Sequence, residues 1–211
     1  MESNNNLNSC MMLAMSFHTA IDLDSVILEQ DLTDYGIEFD SHVTIFYAKE
    51  KVIPHDNLLS DVEILLGDED YEVFMELLKS ERKFPILDIF DLSKFNGATS
   101  DYLVMKMKPG NEIYRILNIL NKGLSRKYDI VSDFDSYRPH MTLAELHPGT
   151  SEKYLNSEKL ELVLKSAKVG FEDLIISYGS YSDKNDREQR SITNFHTLER
   201  YFRNERYKRS N

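Results

Sequence analysis

The chain has 211 residues, 41% of them hydrophobic and 29% charged, which is enough for one sizeable core and ordinary for a globular fold. Twenty-five Lys and Arg stand against 36 Asp and Glu, and the resulting charge of −11 argues against a broad, sequence-blind grip on duplex nucleic acid. The single cysteine, Cys10, rules out an intrachain disulfide and a zinc-type cysteine cluster, and no apolar run reaches membrane-spanning length.

Glu2 and a group of asparagines precede the first apolar stretch, with no basic region of the secretory kind, so the cytoplasm is the expected location. Residues 1–11 read as a loose polar start, 12–200 as one domain and 201–211 as a basic tail. Cys10, in the Asn-rich start, is discounted as a nucleophile.

Residues 11–23 read as a strand, with Phe17, Thr19, Ile21 and Leu23 on its more apolar face and His18 on the other. Asp24-Ser25 signals a helix start and 26–34 a short helix; 35–40, with Gly36, reads as a loop. A strand follows at about 42–48, then a connection with Pro54. A short helix or turn over 61–66 precedes a better helix over 70–82, where Tyr71, Phe74, Met75 and Leu78 share a stripe. Residues 84–95 read as one strand that turns at Asn96-Gly97 into a return strand over 102–107.

Pro109-Gly110-Asn111 ends that hairpin and caps a helix with the clearest stripe in the chain: Ile113, Ile116, Leu117, Leu120 and Leu124. An acidic loop leads to a strand from 140, stopped by His147-Pro148-Gly149. Residues 151–166 are helical in pattern, and 169–181 with 188–198 suggest a final hairpin. The order repeats a plan of strand, helix, strand, helix and hairpin. It predicts an α+β fold with two pseudo-symmetric lobes of antiparallel sheet, outer helices and a central cleft.

Two short stretches stand out. Ser41-His42-Val43-Thr44-Ile45-Phe46 is echoed 98 residues later (140 − 42) by Pro139-His140-Met141-Thr142-Leu143. Six histidines and eight threonines in 211 residues give about 0.2 His-x-Thr triplets by chance, so two is an excess. In a strand, positions i and i+2 face the same way. His42 with Thr44, and His140 with Thr142, would therefore look away from the core-facing Val43, Ile45, Met141 and Leu143.

Two imidazoles and two hydroxyls on one cleft suit phosphodiester cleavage. An imidazole titrates near pH ~6.5, so one takes a proton while the other gives one. Each such role is worth ~10²–10⁴ in rate. Threonine hydroxyls donate to phosphate oxygens as charge develops. No compact Asp/Glu/His ligand set surrounds either motif, so neither metal nor cofactor is expected. Which histidine is base and which is acid stays open.

Four further residues are candidates for substrate binding. Arg138, two before His140, suits phosphate recognition if the alternation passes Pro139. Phe46 follows Thr44 on the expected cleft face and could stack on a base or belong to the core. Tyr137 and His18 are read both ways, as site residues or as structural ones.

The doubled His-x-Thr-hydrophobic pattern, with its Tyr137-Arg138-Pro139 lead-in, resembles the two-histidine (2H) phosphoesterase superfamily. That superfamily includes the 2′,5′-RNA-ligase-like proteins, the cyclic phosphodiesterases and the phage anti-CBASS enzymes that cut cyclic oligonucleotide signals. By element order the resemblance spans roughly residues 12–200. It implies a bilobal fold and a metal-independent phosphodiesterase with His42, Thr44, His140 and Thr142 at work. In anti-CBASS relatives it also implies a base-stacking aromatic on the first strand, where this chain offers His18 or Phe17.

The expected substrate is a cyclic or short oligonucleotide rather than long RNA, given the acidity. The protein is expected to be a monomer without membrane or duplex nucleic-acid partners. The alternatives are an RNA-end processor of the 2′,5′-ligase-like or 2′,3′-cyclic phosphodiesterase type, a 2′,5′-oligoadenylate phosphodiesterase, and a non-catalytic nucleotide or RNA binder.

Overall fold

Alternation of apolar residues builds the first strand, and its phase decides which face meets the core. In a computed structural model of the chain, which describes residues 7–17, 22–38, 41–80, 82–131 and 136–180, β1 spans Leu7–Phe17. Met11, Leu13 and Met15 are buried, while Cys10, Met12 and Ala14 between them are half-buried. The strand begins inside the stretch expected to be loose. Asn8 and Ser9 are buried because their polar atoms are used. Asn8 Oδ1 accepts from Glu50 N (2.7 Å), while Ser9 Oγ donates to Lys51 O and accepts from Ile53 N (both 2.8 Å).

The expected helix over 26–34 is instead a turn of 3-10 helix, Glu29–Asp31, running into a strand, β2 (Leu32–Ile37). Gly36 holds φ +64 within it, which lets the strand bend. β3 (His42–Ala48) follows, then α1 (His55–Lys79). α1 is broken at Gly67 (φ 67, ψ 177), so the two helices expected here remain two segments meeting at a kink, the first starting earlier, at His55.

The expected strand over 84–95 is divided. β4 (Phe84–Pro85) and one helical turn, α2 (Ile86–Ile89), precede β5 (Phe90–Asn96). The hairpin from β5 into β6 (Asp101–Met107) turns at Gly97, whose N–H donates to Ser100 O (2.8 Å).

α3 (Glu112–Lys127) buries all five residues of its predicted stripe. Asn111 caps it, with Oδ1 accepting from Tyr114 N at 2.6 Å. β7 (His140–Leu146), α4 (Glu152–Leu155), α5 (Glu158–Ser166) and β8 (Lys168–Ser180) complete the described order. The second strand of the expected last hairpin and the basic tail lie outside the described residues.

The strands form two antiparallel four-stranded sheets, ordered β3-β1-β8-β4 and β2-β7-β6-β5. β8, late in the chain, pairs along the whole of β1, and β2, early in the chain, pairs with β7. Each lobe therefore carries a strand from the other end of the chain. α1 and α3 pack together, α1 against β8 and α3 against β3. Arg115 on α3 holds Asp70 on α1 through two bonds of 2.6 and 2.7 Å. Among the described residues no helix is long and apolar enough to cross a membrane.

Candidate functional site

The two motif strands are built alike and lie against each other. His42 and Thr44 on β3, and His140 and Thr142 on β7, are half-buried, while Val43 and Met141 between them are fully buried. Both strands then break the alternation at the same place. Met12 of β1 faces Thr44 and Met11 faces Phe46, so Ile45 is an extra, bulged residue. Val104 of β6 faces Thr142 and Leu103 faces Ala144, so Leu143 is the corresponding bulge. The 98-residue offset between the motifs also separates the bulges (143 − 45).

A bulge flips the phase of everything after it. This overturns the expectation for Phe46, which strict alternation puts beside Thr44 on the cleft. Phe46 is 1% exposed and packs against Tyr128, with ring centroids 6.0 Å apart. It is core and has no face free for a base. Ala144 is buried by the same phase change.

The carbonyl of each bulged residue finds a partner outside its ladder. Ile45 O accepts from Asn121 Nδ2 of α3 (2.8 Å), and Leu143 O accepts from Glu38 N just past β2 (2.9 Å). Tyr137, in the lead-in to β7, donates its hydroxyl to Thr44 O (2.9 Å). Its phenol is pushed up by burial and stays protonated. Tyr137 thus ties the approach to one motif strand onto the other, and Asn121 and Tyr137 together cover carbonyls of β3, an edge strand.

The floor under the motifs comes from neighbouring strands. In β1, Ala14 stands opposite His42 and Met12 opposite Thr44. Cys10 is on the same face, with its thiol in a hydrogen bond with Thr44. Burial pushes that thiol up to about 12, so it stays a neutral thiol and not a nucleophile. In β6, Lys106 stands opposite His140 and Val104 opposite Thr142.

His140 is held by a hydrogen bond and by a ring contact. Its Nδ1–H donates to Arg138 O at 2.8 Å; a carbonyl only accepts, so Nδ1 carries the hydrogen and Nε2 is left with the lone pair. The Phe95 ring meets the imidazole edge-on, 4.7 Å between centroids at 81°. Burial lowers the His140 pKa from its ordinary 6.5, and the nearby charges of His42 and Lys106 push the same way against the bond to Arg138. His42 and His140 are therefore within each other's electrostatic reach.

Arg138 contributes its carbonyl to His140. Its guanidinium is exposed, with Nε 3.4 Å from Ser136 Oγ. His18 lies outside the described residues. The sequence reading did not find Phe95, Lys106, Asn121 or the part of Cys10, because each reaches the motifs only through strand register or helix packing. For Phe95 the signal was its place beside the Asn96-Gly97 turn; for Lys106 it was a charge inside an apolar return strand. Among the described residues no three His, Cys, Asp or Glu side chains gather as a set to hold a metal ion. No family model matches this chain, and no curated protein matches it.

Proposed function

We propose that this chain is a metal-independent phosphodiesterase of the two-histidine type. It cleaves a nucleotide-derived phosphodiester, a cyclic or short oligonucleotide of the immune-signalling kind. The observation that carries this reading is the pair of imidazoles on two adjoining, identically bulged strands, each within the other's field.

The roles follow from the surroundings of His140. His140 has a lowered pKa and its Nδ1–H is committed to Arg138 O, so at neutral pH Nε2 offers a lone pair. It serves as the general base, taking a proton from a ribose 2′-hydroxyl or from water. The oxygen so freed attacks phosphorus, and the bond from phosphorus to the departing oxygen breaks. His42 gives that oxygen a proton.

With a 2′-hydroxyl as nucleophile the product is a 2′,3′-cyclic phosphate; with water it is an open phosphate ester. Thr44 and Thr142 donate to the non-bridging oxygens, where negative charge builds. The net charge of −11 disfavours a long polyanion, so the substrate class is small.

The test is a panel of cyclic di- and trinucleotides, 2′,5′-linked oligoadenylate and 2′,3′-cyclic-ended RNA, each with EDTA present. The expected result is cleavage of at least one, falling ~10²–10⁴-fold in His42→Ala and in His140→Ala. Tight binding without turnover across the panel, or activity that demands a divalent metal, refutes the reading.

A further inference from the structure

We propose that Lys106 anchors a phosphate of the substrate beside His140, a binding residue that neither His-x-Thr motif contains. The inference rests on the phosphodiesterase reading above and extends it to the neighbouring strand.

Three observations carry it. First, Lys106 stands directly opposite His140 across the β6–β7 ladder, and cross-strand partners hold their Cβ atoms about 5 Å apart. Second, the Lys106 ammonium lies 4.7 Å from the centroid of the Phe95 ring, and the same ring meets His140 edge-on at 4.7 Å. Lysine, phenylalanine and histidine thus form one row, and the ring fixes where the flexible lysine stem points. Third, Lys106 makes no ion pair with the carboxylate nearest it in register: Asp91 stands opposite it on β5 but is engaged by Lys108. In the same lobe Lys94 pairs with Glu152 (2.5 Å) and Lys108 with Asp91 (3.4 Å). Among the described residues no carboxylate pairs with Lys106, although acidic groups outnumber basic ones 36 to 25.

A half-buried ammonium held beside a histidine, and bonded to no carboxylate among the described residues, is free to take an anionic group of the substrate. A bound phosphate brings Lys106 a counter-charge next to the lone pair of His140 Nε2, where the reacting group must sit. Arginine at this position would keep the charge; a neutral chain of the same length would not.

The experiment is an NMR titration of the full chain at low ionic strength, following backbone amides of β6 and β7, with inorganic phosphate and then adenosine 3′-monophosphate. Wild type is expected to show saturable shifts at Lys106 and His140. Lys106→Met is expected to weaken both ligands by tenfold or more, while Lys106→Arg stays within about threefold of wild type. A thermal melt of each variant checks that it is folded, and the arginine variant keeps the test decisive if methionine disturbs packing.

Equal binding by wild type and Lys106→Met overturns the inference, as does the absence of any saturable shift in wild type. The two readings separate cleanly. Turnover that His140→Ala abolishes, with phosphate binding indifferent to Lys106, removes the anchor and leaves the phosphodiesterase. Phosphate binding that depends on Lys106, with no turnover on the substrate panel, removes the catalysis and leaves the anchor.

Discussion

Tyr137→Phe isolates one bond between the two motif strands. The Tyr137 hydroxyl donates to Thr44 O at 2.9 Å, and the half-buried ring packs against the core whether or not it carries oxygen. Phenylalanine keeps the ring and removes the donor. A net protein hydrogen bond is worth about 0.5–1.5 kcal/mol, and an acceptor left dry costs about 1–3 kcal/mol. Thr44 O sits on an edge strand where water can partly replace the lost donor, so the expected loss is about 1–2 kcal/mol. For a chain of this size each kcal/mol moves Tm by roughly 2–4 °C, which gives a fall of roughly 2–8 °C.

The assay is thermal unfolding alongside urea unfolding, with an unchanged urea slope showing that the compactness of both states is preserved. Because the bond ties the approach to His140 onto the strand of His42, kcat should fall more than KM rises. A Tm within half a degree of wild type, together with unaltered kcat, refutes the claim that Tyr137 holds the strands in place.

Phe46→Leu tests core against stacking: about 1–2 kcal/mol of stability should be lost with KM unchanged in the folded protein, whereas a base-stacking role would raise KM and leave Tm alone. Asn121→Ala should cost about 1–2 kcal/mol in urea unfolding, because the Ile45 carbonyl loses its donor. His140 titrates below 6.5 when folded, so the acid limb of kcat/KM should lie below pH 6.5. By linkage, the unfolded chain binds the extra proton first as pH falls; stability should therefore drop from about pH 6.5 down to the folded value, and His140→Gln should flatten that slope.

Asp101 accepts from Gly149 N (3.0 Å), Ser151 N (3.4 Å) and Ser151 Oγ (2.6 Å), and the Ser151 hydroxyl leads in holding its carboxyl below the usual 3.8. Its contribution is present above pH 3.8 and lost as pH falls through the folded value. Acid unfolding of Asp101→Asn should accordingly show a shallower pH dependence than wild type.

Local physics alone determined a good part of this protein. The stripe of α3, the cap at Asn111 and the Asn96-Gly97 hairpin depend on neighbours within one or two turns of chain, and all can be read from residue order. The doubled His-x-Thr, with its apolar partners between, is legible for the same reason. What tertiary structure decided is whatever needs a second strand to define it.

A bulge is a mismatch of two residues against one, so Ile45 and Leu143 become extra only when β1 and β6 are beside them, and Phe46 turns inward as a result. β2 hides its strand character behind Gly36 and a start signal for a helix, and takes its place by pairing with β7. Lys106 and Phe95 reach His140 through register across a sheet, a relation between residues 34 and 45 positions apart that no local pattern encodes. Side-chain alternation is a property of one strand, whereas the company a side chain keeps is set by the partner strand, and the long closures that bring partners together are chosen by the free energy of the whole core.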